Sequence, residues 1–279
     1  MTICICGAGT MGSGIALVSA TSGFPTILYD LNAEMVHQAA ARIEADLERM
    51  VQKQKTTPEK KAAAIGRIRF TTDLQHCVAD VVIEAIVEKI EVKASLFQAL
   101  AAINSPQTIF ATNTSSLSVA ALAAQVPGPG RVAGLHFFNP APVMKLVEVV
   151  RTALTSAEVA ERLITLTKAM GKEPVVCKDA PGFIVNRVAR PYYIESLRLA
   201  EEGKADFATI DRLLESKGFR MGPFRLMDLI GNDVNYAVSC SVYEQLQRPE
   251  RLRPSPIQKE KLDAGALGKK TGEGYYRYP

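Results

Sequence analysis

No apolar run in this sequence approaches the roughly 20 residues needed to cross a bilayer. No membrane span is therefore expected. Basic residues form no dense tract either: the net charge of +4 is mild for 279 residues, and the lysines and arginines are scattered. This argues against nucleic acid as a partner. Cysteine is sparse, and Cys4, Cys6, Cys77, Cys177 and Cys240 show no C-x-x-C or metal-ligand spacing. Lying mostly in apolar runs, they read as reduced, buried thiols. A strand-like run begins at Thr2, leaving no space for a signal or transit peptide, so a cytoplasmic protein is expected.

What is present is the balance of a globular protein, with 47% hydrophobic and 22% charged residues over a length that suits two domains. Short β-rich runs alternate with helical patterns through the first half. The runs are Thr2–Cys6, Thr26–Tyr29, Arg67–Phe70, Val81–Glu84, Thr108–Ala111, Val132–Phe137, Lys145–Val150 and Pro174–Lys178. Such alternation predicts an α/β fold, a Rossmann-type mostly parallel sheet with helices on both faces. Between the second and third runs, Val36, Ala40, Ile43, Leu47 and Met50 recur at helical spacing after an N-cap at Asn32. Thr155 and Glu158 form a capping-box pattern ahead of a later helix. At Asp179-Ala180-Pro181-Gly182 the alternation stops, and helical periodicity such as Ile184, Val188, Ile194 and Leu197 takes over. We therefore expect a domain at 1–180 and an all-α C-terminal domain at 181–279, small and apolar enough to pack against a second subunit.

Gly7, Gly9 and Gly12 form a G-x-G-x-x-G triplet, with Thr10 and Met11 between the last two. It follows a strand pattern and opens a helix. In that setting the glycines permit a tight turn and a close approach of main-chain N–H groups to a pyrophosphate at the helix N-terminus. Asp30 ends the second strand, where a carboxylate accepts ribose hydroxyls and repels a 2′-phosphate, which predicts NAD over NADP. The alternative is a glycine turn that only joins strand to helix.

Oxidation of an alcohol needs a base, and only three histidines are available. His37 falls in an amphipathic helix and His76 in a polar connection, whereas His136 ends a strand immediately before Phe137-Phe138-Asn139-Pro140. The pattern alone leaves catalytic and structural roles for His136 equally open. Glu148 shares a strand face with Leu146 and Val150, so it needs a partner if buried, and His136 is the natural one. A solvated carboxylate on an edge strand is the alternative for Glu148.

Gly7 to Gly12, Asn113-Thr114-Ser115-Ser116, His136 to Pro140, and Pro181-Gly182-Phe183-Ile184-Val185-Asn186-Arg187 together resemble the short-chain L-3-hydroxyacyl-CoA dehydrogenases. Bacterial 3-hydroxybutyryl-CoA dehydrogenases are the most similar group. The likeness runs through Met221-Gly222-Pro223-Phe224 to the segment Gly268–Tyr276. It implies NAD-dependent oxidation of an (S)-3-hydroxyacyl-CoA, with His136 as base and Glu148 as its acid. It further implies Ser115 as hydrogen-bond donor to the 3-oxygen and Asn186 as an amide ordering substrate and histidine. Asn113, Glu88 and Lys93 match residues near the nicotinamide; without the resemblance, Lys93 would read as a solvated helix lysine. A homodimer formed through the C-terminal helices is expected.

The acyl-CoA needs positive charge along its groove, and Lys53 and Lys60 are expected to supply part of it, a solvated helix face being the alternative. Two rivals remain on a similar scaffold. Hydroxyacid dehydrogenases related to phosphogluconate dehydrogenase use a lysine just ahead of an asparagine, but Gly182 or Phe183 stands there. A crystallin-like structural protein would bind cofactor without turnover. A 3-hydroxyadipyl-CoA-type dehydrogenase is the alternative within the family.

Overall fold

Each of the eight strand-like runs forms a strand within one residue of its expected ends. They are β1 (Ile3–Cys6), β2 (Thr26–Tyr29), β3 (Ile68–Thr71), β4 (Val81–Glu84), β5 (Ile109–Thr112), β6 (Val132–Phe137), β7 (Leu146–Arg151) and β8 (Glu173–Lys178). The computed structural model describes residues 1–279 and separates into two units, Met1–Asp179 and Ala180–Pro279. In the first, the strands form one sheet in the order β3-β2-β1-β4-β5-β6-β7-β8. Every neighbouring pair is parallel except β6 and β7. The order reverses between β1 and β4, and open sheets of this kind hold ligands beyond the carboxyl ends of the strands at such a point.

Six helices cover the sheet: α1 (Thr10–Thr21), α2 (Ala33–Gln52), α3 (Pro58–Gly66), α4 (Ile90–Ile103), α5 (Val119–Ala123) and α6 (Ala157–Ala169). Alternation along β1 divides them between the faces. Ile3 and Ile5 pack with Ile15, Ile43, Ala64 and Leu163 of α1, α2, α3 and α6. Cys4 and Cys6 pack on the other face with Phe97, Leu100 and Leu122 of α4 and α5. This is a Rossmann-type unit.

Asn32 caps α2 by accepting from the Glu34 N–H at 2.9 Å, and Val36, Ala39, Ile43 and Leu47 make its buried stripe. Ala39 thus takes the place expected for Ala40. Burial of each large aliphatic in the stripe contributes about 1.5–3 kcal/mol. The cap of α6 also shifts by one residue. Ser156 accepts from the Val159 N–H, while the expected cap, Thr155, is buried and donates to the Val132 carbonyl at 2.8 Å. A buried hydroxyl must be satisfied, and the strand carbonyl is within its reach.

The second unit is helical, with α7 (Val185–Glu201), α8 (Phe207–Ser216), α9 (Pro223–Ile230), α10 (Asn232–Gln245) and α11 (Pro256–Asp263). Its core gathers Tyr193, Leu197, Ile210, Phe224 and Met227. The stripe expected on α7 is corrected at its start: Ile194 and Leu197 are buried, but Ile184 precedes the helix and is exposed, and Val188 is 70% exposed. The buried face instead runs Arg190, Tyr193, Ile194 and Leu197. Two buried acids tie the helices and the C-terminal segment together. Asp211 accepts from the N–H groups of Phe224 and Arg225 and from the Tyr276 hydroxyl. Asp228 accepts from the N–H groups of Tyr275 and Tyr276, the Asn232 amide and the Tyr278 hydroxyl. No helix is long and apolar enough to cross a membrane.

Candidate active site

The carboxyl ends of β1, β2, β4, β5 and β6 lie along one edge of the sheet, and nearly all the residues singled out in the first unit stand there. Beyond β1, Gly7 adopts φ of 107°, and a Cβ on it would meet the Ala85 carbonyl oxygen at 2.4 Å. A Cβ on Gly12 would stand 1.7 Å from the Gly7 oxygen, so only glycine lets α1 start this close to β1. At Gly9 nothing lies within 4 Å of that position, leaving an open surface. Thr10 and Met11 open α1 without a side-chain cap, and first-turn N–H groups have no acceptor within the helix. These are the features a pyrophosphate needs. Asp30 accepts from the Ala8 N–H at 2.8 Å through Oδ2 and from the Asn32 N–H at 3.0 Å through Oδ1. Each oxygen keeps a further lone pair for a ribose hydroxyl. The residues present therefore fit a dinucleotide.

Gly14, on the next turn of α1, packs against Ala141 and Pro142 in the loop after β6. That contact joins the glycine turn to the strand carrying His136. Lys172 fixes the same loop, donating to the carbonyls of Ala141 at 2.6 Å and Met144 at 2.8 Å. Burial pushes its ammonium below the usual lysine range.

His136 and Glu148 face each other across the antiparallel β6–β7 pair in direct register. His136 Nδ1 lies 2.7 Å from Glu148 Oε2, with the residues 6% and 1% exposed. Because β8 continues the sheet beyond β7, Glu148 is an interior carboxylate and not a solvated edge group. The Phe138 ring packs at 4.5 Å from the imidazole. Asn113 turns the neighbouring loop toward this strand, its Oδ1 accepting from the Phe137 N–H at 2.8 Å.

A second ionic cluster stands beside it. Lys93 is 1% exposed, with Nζ at 2.6 Å from Glu84 Oε1 and 3.0 Å from Glu88 Oε2. The solvated-lysine alternative is thereby overturned. Glu84 also accepts from Thr112 Oγ1 and the Ile86 N–H, both at 2.7 Å. Glu88 accepts from Thr114 Oγ1, from the Ser115 N–H at 3.3 Å and from Ser116 Oγ at 3.2 Å. Burial raises the Glu88 carboxyl, but Lys93 and these donors outweigh it and hold the group below the usual carboxylate range. The Ser115 loop is thus shaped by Glu88 and Thr114; Ser115 is not a helix cap, since Ser118 caps α5. Glu84, Thr112, Thr114 and Lys172 escaped the sequence reading.

Asn186 stands in the second unit, at the start of α7. Lys53 ends α2 and Lys60 lies in α3, both exposed and outside the clusters described above. His37 is exposed; His76 is bound to Thr71 at 2.9 Å.

A glycine turn against a parallel sheet, with an acid just beyond the second strand, defines a dinucleotide-binding protein. Residues 2–180 match the 3-hydroxyacyl-CoA dehydrogenase NAD binding domain, and residues 182–278 match the 3-hydroxyacyl-CoA dehydrogenase C-terminal domain. The chain belongs to the 3-hydroxyacyl-CoA dehydrogenase family, and its first unit is that family's NAD-binding domain. It is 50% identical to the 3-hydroxyadipyl-CoA dehydrogenase of Escherichia coli over 99% of its own length, and spans 58% of that relative. It is 41% identical to the mitochondrial hydroxyacyl-coenzyme A dehydrogenase of Sus scrofa, covering 99% of this chain and 90% of that one. The crystal structure of (S)-3-hydroxybutyryl-CoA dehydrogenase from Ralstonia eutropha is similar with a TM-score of 0.95 at 37% identity, covering 100% of this chain and 99% of the other.

Proposed function

We propose that the chain catalyses reversible, NAD-dependent oxidation of a short (S)-3-hydroxyacyl-CoA, such as 3-hydroxybutyryl-CoA, to the 3-oxoacyl-CoA. The observation that carries this reading is the buried His136–Glu148 pair, 2.7 Å apart, at the ligand-binding edge of a dinucleotide fold. With Nδ1 held by Glu148, Nε2 of His136 is assigned to the proton of the 3-hydroxyl. Glu148 orients the ring and stabilises the imidazolium that results. When bound, NAD supplies the acceptor for the hydride leaving C3. Ser115 is assigned to a hydrogen bond with the 3-oxygen, and Asn186 to ordering substrate and histidine.

Asn113, Glu88 and Lys93 are assigned to the nicotinamide end of the cofactor site. Lys93, enclosed by two carboxylates, acts there by fixing Glu88, which in turn holds the Ser115 loop. Asp30 is assigned to the adenosine ribose and to preference for NAD. Lys53 and Lys60 are assigned to the CoA groove; replacing both with glutamate should raise the Michaelis constant for acyl-CoA, and an unchanged value disposes of that assignment. The chain is further proposed to work as a cytoplasmic homodimer through its C-terminal helices, which expose Leu213 and Leu229. Light scattering behind a sizing column tests the dimer.

A second reading, a terminally carboxylated substrate such as 3-hydroxyadipyl-CoA, is favoured by the name of the E. coli relative. Both are tested by reduction of acetoacetyl-CoA and of longer, branched and carboxylated 3-oxoacyl-CoA substrates with NADH and with NADPH. Turnover with NADH is expected. Absence of turnover with any of them contradicts the proposal, and a preference for NADPH contradicts the role given to Asp30.

A further inference from the structure

We propose that Arg190 recognises an anion at the far end of the acyl chain, making the chain selective for 3-hydroxyacyl-CoA substrates that end in a carboxylate. This rests on the reading above, in which Asn186 meets the substrate.

Arg190 is 3% exposed, and no carboxylate lies within ion-pairing distance. Its bonds all go to neutral acceptors: Nε to the Asn186 carbonyl at 3.1 Å, and Nη1 to the Asn235 carbonyl at 3.0 Å and to Ser239 Oγ at 2.8 Å. A guanidinium carries five N–H donors, and the two on Nη2 take no protein acceptor and stand at the small accessible part of the residue, open to a ligand. Unlike a lysine, an arginine does not escape burial by losing its proton near neutrality; desolvation here lowers it only to about 10. The charge therefore persists, in the core of a helical unit, without a counter-ion. The buried acids of that unit are already engaged with main-chain N–H groups and hydroxyls elsewhere.

The neighbouring residue also keeps a free donor. Nδ2 of Asn235, the residue whose carbonyl holds Arg190, is buried and has no partner. If the α7–α10 seam needed only a tie, neutral side chains would supply it without burying a charge that has no counter-ion. A carboxylate supplies the missing counter-ion.

Position defines the ligand. Arg190 follows Asn186 by four residues on α7, which places the two on one face with Cβ atoms about 5–6 Å apart. On that reading, an acyl chain ordered by Asn186 and ending in a carboxylate brings its charge to Arg190. A methyl-terminated four-carbon chain brings nothing to Arg190.

The test begins with the unaltered full-length protein. Adipyl-CoA and hexanoyl-CoA, equal in carbon number and differing in the terminal group, are compared as competitive inhibitors of acetoacetyl-CoA reduction. Adipyl-CoA is expected to bind at least about tenfold more tightly. Then kcat/KM is measured for 3-oxoadipyl-CoA and acetoacetyl-CoA in Arg190→Met and Arg190→Lys. The methionine variant is expected to lower the ratio of the two values by about fiftyfold, with lysine intermediate. Equal inhibition by the two acyl-CoAs, or equal losses on the two substrates, overturns the role of Arg190 while the dehydrogenase reading stands. Failure of the unaltered protein to reduce any acyl-CoA overturns that reading, and this proposal with it.

Discussion

The two units treat buried charge in opposite ways. In the first, buried acids face basic side chains: Glu148 faces His136, and Glu84 faces Lys93, which the more exposed Glu88 also reaches. In the second, Asp211 and Asp228 are held by main-chain N–H groups and tyrosine hydroxyls with no cation in contact, and Arg190 has no acid. The difference separates two uses of a carboxylate. Neutral donors satisfy an acid permanently and serve as a staple between segments. An ionic partner leaves an acid able to respond to a change in its neighbour's charge, which is what a proton-accepting histidine requires.

That contrast can be broken from either side. The largest stability effect is expected at Lys93. Replacing it with methionine leaves the buried Glu84 carboxylate without its cation and should cost about 3–5 kcal/mol, read as a lower denaturation midpoint. An unchanged midpoint would show that the triad is no paired cluster. Next comes Asp228→Ala, which strands two N–H donors and frees the C-terminal segment. A loss of about 2–4 kcal/mol is expected, with faster amide exchange at Tyr275 and Tyr276. A loss confined to activity would argue against the staple.

A smaller effect depends on pH. Because the Glu88 carboxyl is held below its ordinary range, its ionised form contributes stability above the unfolded value, about 4.3, and loses it as pH falls through the depressed folded value. The stability gap between the unaltered protein and Glu88→Gln should be present at pH 7 and close on acidification below about pH 4. A gap that widens on acidification contradicts the sign. The acids of the second unit respond through their donors instead: the Tyr278 phenol, which bonds Asp228, is pushed well above the usual tyrosine range by burial and by that bond.

The same contrast explains what could be read in advance. All eight strands were legible because each is a short apolar run between turn residues, and the pairing of His136 with Glu148 followed because both lie on strands, where side-chain period fixes the face. Lys93 was not legible: its partners Glu84 and Glu88 come from a strand end and the loop after it, and sequence spacing does not reveal that geometry. The cap at Ser156 was missed by one residue because Thr155 could be buried against Val132, a tertiary fact. On α7 an apolar rule selected Val188 for the buried stripe, where the fold buries Arg190. Gly268 and Gly274 carry part of the family likeness for a packing reason. A Cβ on either would strike Asp228, at its main-chain oxygen 2.2 Å away and at Oδ1 2.0 Å away respectively.

Most direct is a measurement on His136 itself. Steady-state turnover of acetoacetyl-CoA and equilibrium binding of NADH are compared in the unaltered protein and in His136→Gln. The account predicts turnover lower by about two to four orders of magnitude with NADH affinity barely changed. Retained turnover, or a parallel loss of NADH binding, would contradict His136 as the base.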